Sequence, residues 1–164
     1  MARKQDVTIN ISGYATNPTG TDPSGSTYPV KITSGVSPDP IVVHKEVDDK
    51  GKDKPYTLDF ALTNAPAGYT ATITDFRYAD TGGTQWWRPV SDPNTTNPTL
   101  NPPQGHEFEW VGAQGNAFRI TDKSSNVQNY NYVLQVQVVN DSDPTDNYTF
   151  IVDPEIHNED AAHP

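Results

Sequence analysis

The run Tyr130-Asn131-Tyr132-Val133-Leu134-Gln135-Val136-Gln137-Val138-Val139 sets the strongest constraint on how this chain can fold. In an extended backbone successive side chains point to opposite faces, so Tyr130, Tyr132, Leu134, Val136 and Val138 share one side of a pleated strand. A strand with one apolar side needs a second layer to cover it, and that requirement points to an all-β domain.

The same alternation recurs along the chain. Val7, Ile9 and Ile11 mark a strand from Asp6 to Ser12, and Val30 and Ile32 mark another within Tyr28 to Thr33. Ile41-Val42-Val43 follows Asp39-Pro40, and beyond the charged turn Asp48 to Lys54 the residues Tyr56, Leu58, Phe60 and Leu62 alternate with polar or small neighbours. Tyr69, Ala71 and Ile73 keep one parity whereas Phe76 and Tyr78 keep the other. A parity slip inside one extended segment predicts a β-bulge near Thr74-Asp75. Gln85-Trp86-Trp87-Arg88 reads as a short strand. His106, Phe108 and Trp110 form a strand that turns at Gly112 to Gly115 into Phe118 and Ile120, and Tyr148 to Val152 closes the series.

Loops are expected at Thr16–Thr27 and Ser91–Gly105, where Gly, Pro, Ser, Thr and Asn crowd together. Five Asp-Pro pairs, beginning at Asp22, Asp39, Asp92, Asp143 and Asp153, punctuate strand ends. The expected architecture is a single immunoglobulin-like β-sandwich of about nine or ten mostly antiparallel strands over residues 1–154. Tyr130 or Tyr132 stands where such domains carry a corner tyrosine. Residues 155–164 read as a polar, mobile tail. No helix longer than a turn is expected.

Composition settles what alternation leaves open. An apolar content of 33% with a net charge of −10 lies near the disordered class, but disordered chains do not keep apolar residues in register over successive strands. Fourteen valines and nineteen threonines against four leucines and one methionine favour pleated surfaces over helices. The acidic balance repels a phosphate backbone, so a nucleic-acid partner is not expected. With no cysteine, disulfides, a thiolate nucleophile and cysteine-based zinc sites are excluded. No segment has the apolar length of a membrane span, and the start, Met1-Ala2-Arg3-Lys4-Gln5-Asp6, leads into a strand rather than an apolar signal core. The expectation is a cytoplasmic protein without a cofactor.

Candidate sites divide by chemistry. Asp80-Thr81-Gly82 resembles the aspartic protease tripeptide, in which two such aspartates share a proton across a dimer. Its flanks, Tyr78-Ala79 and Gly83-Thr84, lack the usual apolar run, and a turn after a strand needs Asp and Gly in any case. Asp141, Asp143 and Asp146 occupy one loop and are calcium candidates, although an EF-hand frame fails because Asp146 stands where Gly is needed. His44, His106, His157 and His163 are scattered without metal-ligand spacing. Trp86, Trp87 and Arg88 are the candidate binding residues. Adjacent tryptophans on a strand point to opposite faces, so one ring fills the core while the other lies under a loop, or serves as an oligomer contact or a sugar-stacking platform.

The closing segment Tyr148-Thr149-Phe150-Ile151-Val152-Asp153-Pro154-Glu155-Ile156-His157-Asn158 resembles the DP-EP family of small bacterial proteins. More distantly, that family is similar to a bacterial inclusion-body protein family. The resemblance implies a single β-sandwich from a bacterial source, with no established activity and no functional residues to carry over. Together these readings point to a non-enzymatic binding or self-assembling domain whose partner is a second copy or another protein.

Overall fold

The computed structural model describes residues 3–12, 19–21, 27–29, 31–32, 35–80, 86–91, 107–114, 117–152 and 155–160. Within them lie thirteen strands and no helix long and apolar enough to cross a membrane. The first seven are β1 (Arg3–Asn10), β2 (Thr19–Thr21), β3 (Thr27–Pro29), β4 (Lys31–Ile32), β5 (Val36–Ser37), β6 (Ile41–Lys45) and β7 (Tyr56–Thr63). The remainder are β8 (Tyr69–Asp80), β9 (Phe108–Gln114), β10 (Ala117–Asp122), β11 (Asn129–Asn140), β12 (Asn147–Val152) and β13 (Glu155–Asp160). Nine of these are five residues or longer.

Two sheets pack face to face. The first has the order β5-β1-β7-β10-β9; the second runs β4-β12-β11-β13-β6, with β8 on the other side of β11. Pairing is mostly antiparallel, the exceptions being β1 with β7, β4 with β12 and β6 with β13. Val7, Ile9, Leu58, Phe60, Phe118 and Ile120 line the inner face of the first sheet; Ile73, Phe76, Tyr132, Leu134, Val136 and Phe150 line that of the second. Each is buried because the alternation read in the sequence places it on the covered side. Phe60 and Phe118 meet Phe76 and Tyr132 across the gap, with Phe76 stacked on Phe118 at 5.5 Å and on Tyr132 at 5.6 Å. Such ring pairs add about 0.5–1.5 kcal/mol beyond their buried area.

The parity slip in β8 is a bulge. Gln135 faces Asp75 and Val136 faces Ile73, leaving Thr74 as the extra residue. The Tyr130 hydroxyl accepts a hydrogen bond from Asn126 Nδ2 at 2.6 Å, which ties the start of β11 to the turn before it. Other expectations need correction. The loop read at Thr16–Thr27 contains β2, which pairs with β3 as a hairpin. The turn read at Gly112 to Gly115 begins later, because β9 runs on to Gln114 and absorbs a second bulge opposite Arg119 and Ile120. The mobile tail is, over Glu155–Asp160, the strand β13. It pairs with β11 in the same register as β12 does, and its other edge pairs with β6. Two backbone partners order a segment whose side chains gave little signal.

One lateral side of the sandwich is closed by the segment from β4 to β6. β4 joins the second sheet, β5 crosses to pair with β1 in the first, and β6 returns to the second. Cis peptide bonds precede Pro38 and Pro40 along this path. Arg3 ties the sheets at one end: from β1 it donates to the carbonyls of His44 and Lys54 and lies 4.6 Å over the Tyr56 ring. The crossing starts at Gly35, whose φ of +88° suits glycine and whose carbonyl accepts from the Asn10 amide at 2.8 Å. A Cβ there would stand 2.7 Å from the Asn10 carbonyl oxygen. Gly35→Ala therefore combines a disfavoured backbone conformation with a backbone clash, and should lower unfolding free energy by about 2 kcal/mol or more in urea titrations.

Candidate interaction surfaces

The opposite lateral side is crossed by Trp86–Ser91. Tyr78 and Trp87 exchange both backbone hydrogen bonds at 2.9 Å, which attaches this segment to the edge of the second sheet. Three residues on, Val90 donates to the Phe108 carbonyl and accepts from the Trp110 amide, which attaches it to the edge of the first. The tryptophans do take opposite faces. Trp87 is half-buried against the main core, whereas Trp86 is 5% exposed and covers Ala79 and Val133 on the outer side of the second sheet. Arg88 follows on Trp86's side, and its Nη2 lies 3.2 Å from Asp75 Oδ2, which also receives Arg77 Nε at 3.1 Å. All three residues expected at a binding surface thus hold the seam shut. The two rings lie on opposite sides of the second sheet and do not form one platform.

The acidic loop is similarly engaged. Asp146 Oδ2 accepts from the Tyr69 hydroxyl at 2.6 Å and from Asn140 Nδ2 at 2.9 Å, and these bonds hold its carboxyl below the ordinary value. Asp141 accepts from Thr70 Oγ1 at 2.5 Å, and Asp143 from the amide and hydroxyl of Thr145. The three carboxylates share no partner, each bonding different residues. Among the described residues no group of three or more His, Cys, Asp or Glu side chains could hold a metal ion. His44 is exposed on β6, and the backbone of His157 pairs with Asn129, while His106 and His163 lie outside the described residues. The backbone of Asp80 ends β8 opposite Tyr130; its side chain and Thr81–Gly83 lie outside them too.

Two buried carboxylates escaped the sequence reading. Glu107 accepts from the amide of Ser125 at 2.6 Å, from its hydroxyl, and from Asn126 Nδ2 at 3.2 Å. Asp122 accepts from the Ser124 amide at 2.7 Å. Both pin the connection between β10 and β11, where Ser124 has a φ of +54°. Buried carboxylates need such donors, and here the donors shape a turn.

The outer face of the first sheet carries a shallow depression of about 580 Å³ whose lining includes the small residues Ala61, Gly112 and Ala117. Asp59 lies beside them. Arg119 grips it with two nitrogens, Nη2 at 2.7 Å, and Lys4 Nζ bridges it to Asp6 at 2.9 and 2.8 Å. The Arg119 hydrogen bonds, aided by Lys4, pull the Asp59 carboxyl down to about 2. The positions come from three strands and meet by register, with Asp59 opposite Asp6 on one side and Arg119 on the other.

A long edge of the second sheet runs along β8. Tyr78 turns its backbone groups away from β11 towards Trp87, and alternation carries that direction to Phe76 and, past the bulge, to Ile73 and Ala71. Among the described residues no strand pairs with this stretch of β8. The Tyr69 amide is already donated to Pro66. From Tyr69 to Thr74 the side chains are Tyr, Thr, Ala, Thr, Ile and Thr, without charge, proline or glycine.

No family model matches the chain, and no curated protein matches it. The resemblance to the DP-EP family therefore stands on the closing segment alone. Among solved structures, the chain is similar to an inclusion body protein (PixA) from Burkholderia cenocepacia J2315, with 10% identity over 94% of this chain and 96% of that one and a TM-score of 0.37. A likeness of that depth carries no inference about role.

Trp86→Ala should lower stability by about 2–4 kcal/mol through the cavity it leaves over Ala79 and Val133, while light scattering should give an unchanged mass. Asp59 should titrate near 2 when its carboxyl carbon is followed by NMR. Because its folded value is depressed below the ordinary 3.8, its contribution to stability is complete above that value and is lost as pH falls towards 2. Asp59→Asn should remove that part of the acid dependence in denaturation measured across the same window.

Proposed function

We propose that this chain is a non-enzymatic interaction module whose open edge, β8, accepts an added strand. The observation that carries the reading is that, among the described residues, no strand pairs with the outward backbone of Ala71, Ile73 and Phe76, beside the uncharged run from Tyr69 to Thr74. Long edge strands are usually guarded by charge, proline or a covering segment. On this protein β4 and β5 are only two residues long, and Val90 covers the start of β9. Among the described residues β8 is guarded by Trp87 at Tyr78 alone and interrupted by the Thr74 bulge alone. Strand addition needs what this edge offers: unpaired main-chain groups in register, with flanking side chains that tolerate a neighbour.

The non-enzymatic part of the reading is supported by how the carboxylates are used. Asp59, Glu107, Asp146 and the Asp75 cluster hold strands and turns in place. Kinship with immunoglobulin-like sandwiches and with the DP-EP family belongs to the same proposal, and the Tyr130 corner and the Asp153-Pro154 segment are what support it.

A synthetic strand-forming peptide of alternating Thr and Val residues should shift the amide resonances of Ala71, Ile73 and Phe76 and slow their hydrogen exchange. Shifts confined to other surfaces, or none at all, would sink this reading.

A further inference from the structure

We infer that the strand added to β8 is the β8 of a second copy, paired antiparallel about a twofold axis at Thr72. This rests on the reading of β8 as an accepting edge and names its partner. In such a pair Ala71 of one copy, whose backbone groups point away from β11, lies opposite Ile73 of the other, and each pair exchanges both backbone hydrogen bonds. Only groups left unbonded by the fold are used. A register one step towards Tyr69 would instead require the Tyr69 amide, already given to Pro66. The Thr74 bulge ends the pairing at the other side, because the extra residue breaks the spacing of the ladder.

Side chains suit the same arrangement. Thr72 meets Thr72 of the partner on the outer face, and Thr70 meets Thr74, which are favourable cross-strand neighbours. Charge selects both the edge and the direction. At −10 per chain, two copies repel over most of their surfaces, and the run from Tyr69 to Thr74 bears no ionised side chain. The acidic loop is tied to the beginning of β8, Asp146 through Tyr69 and Asp141 through Thr70. Antiparallel pairing sets the two acidic loops at opposite ends of the shared ladder, whereas parallel pairing would set them side by side. The product is a continuous sheet running through both molecules, a closed twofold dimer that presents no second β8 for further growth.

Sedimentation of the purified chain over a concentration series tests this, together with Thr72→Lys and Thr72→Glu. Both substitutions lie on the outer face and leave the β8–β11 ladder intact. The wild type should move from one mass to twice that mass as concentration rises, more readily as salt increases from about 0.05 to about 0.5 M and screens the shared negative charge. Each variant alone should remain at the monomer mass, since like charges then face each other on the axis, and an equimolar mixture of the two should recover the doubled mass. A wild type that stays monomeric throughout, variants that still double, or a mixture that fails to recover would each overturn the proposal. If the wild type stays monomeric yet the Thr/Val peptide still protects Ala71 and Ile73, the edge accepts strands and only the identity of the partner is wrong. If neither occurs, both readings fall.

Discussion

The contact on which the rest depends is the meeting of four rings between the sheets. Phe60 and Phe118 come from one layer, Phe76 and Tyr132 from the other, with centroid separations of 5.5 to 6.2 Å. Neither layer has an apolar face that water would tolerate, and burying a large side chain of this kind contributes about 1.5–3 kcal/mol. With only 33% apolar residues, the chain concentrates its hydrophobic stabilisation in this gap and has little in reserve elsewhere. The polar devices follow from that. Arg3, Glu107 and the Asp75 cluster act at corners and seams, where the two layers would otherwise part.

Closure of the two lateral sides shows a shared solution with different means. On one side a chain segment weaves from the second sheet to the first and back, turning on Gly35. On the other, Trp86–Ser91 passes once from edge to edge, with one indole anchored on each side of the second sheet. On the woven side β13 is paired along both edges, with β11 on one and β6 on the other. Among the described residues the single pass pairs with the sheets only at Tyr78, Phe108 and Trp110, and no strand pairs with the far part of β8 on that side.

What could be read without coordinates is what depends on side-chain parity. The strands from β7 to β12, their inward residues and the Thr74 bulge all leave a period-two signal, because burial on one face is selected residue by residue. Segments ordered by their neighbours leave none. Glu155-Ile156-His157-Asn158-Glu159-Asp160 carries one apolar residue, and only the pairing of its backbone on both edges makes it a strand. That Trp86 and Trp87 must part was legible from their adjacency; which one would lie under cover on the outer face was not, since that depends on Ala79 and Val133 from two other strands. Asp59 and Arg119 are opposed only through register, and no local pattern announces that. The uncharged run of β8 was visible throughout, but its meaning as an edge required knowing the strand order.

The position of β13 has a consequence for how the molecule is assembled. Among the described residues β6 is joined to its sheet through β13 alone, so the pairing that supports Ile41 and Val43 in that layer forms only once the chain has been made through Asp160. An emerging polypeptide must hold an early stretch in waiting for a late one. Contacts so distant along the chain slow folding, because the intervening loop must be closed before it is rewarded. The native state is thus latched by residues made long after the strand they hold, and damage to that latch would be felt first in a strand more than a hundred positions away.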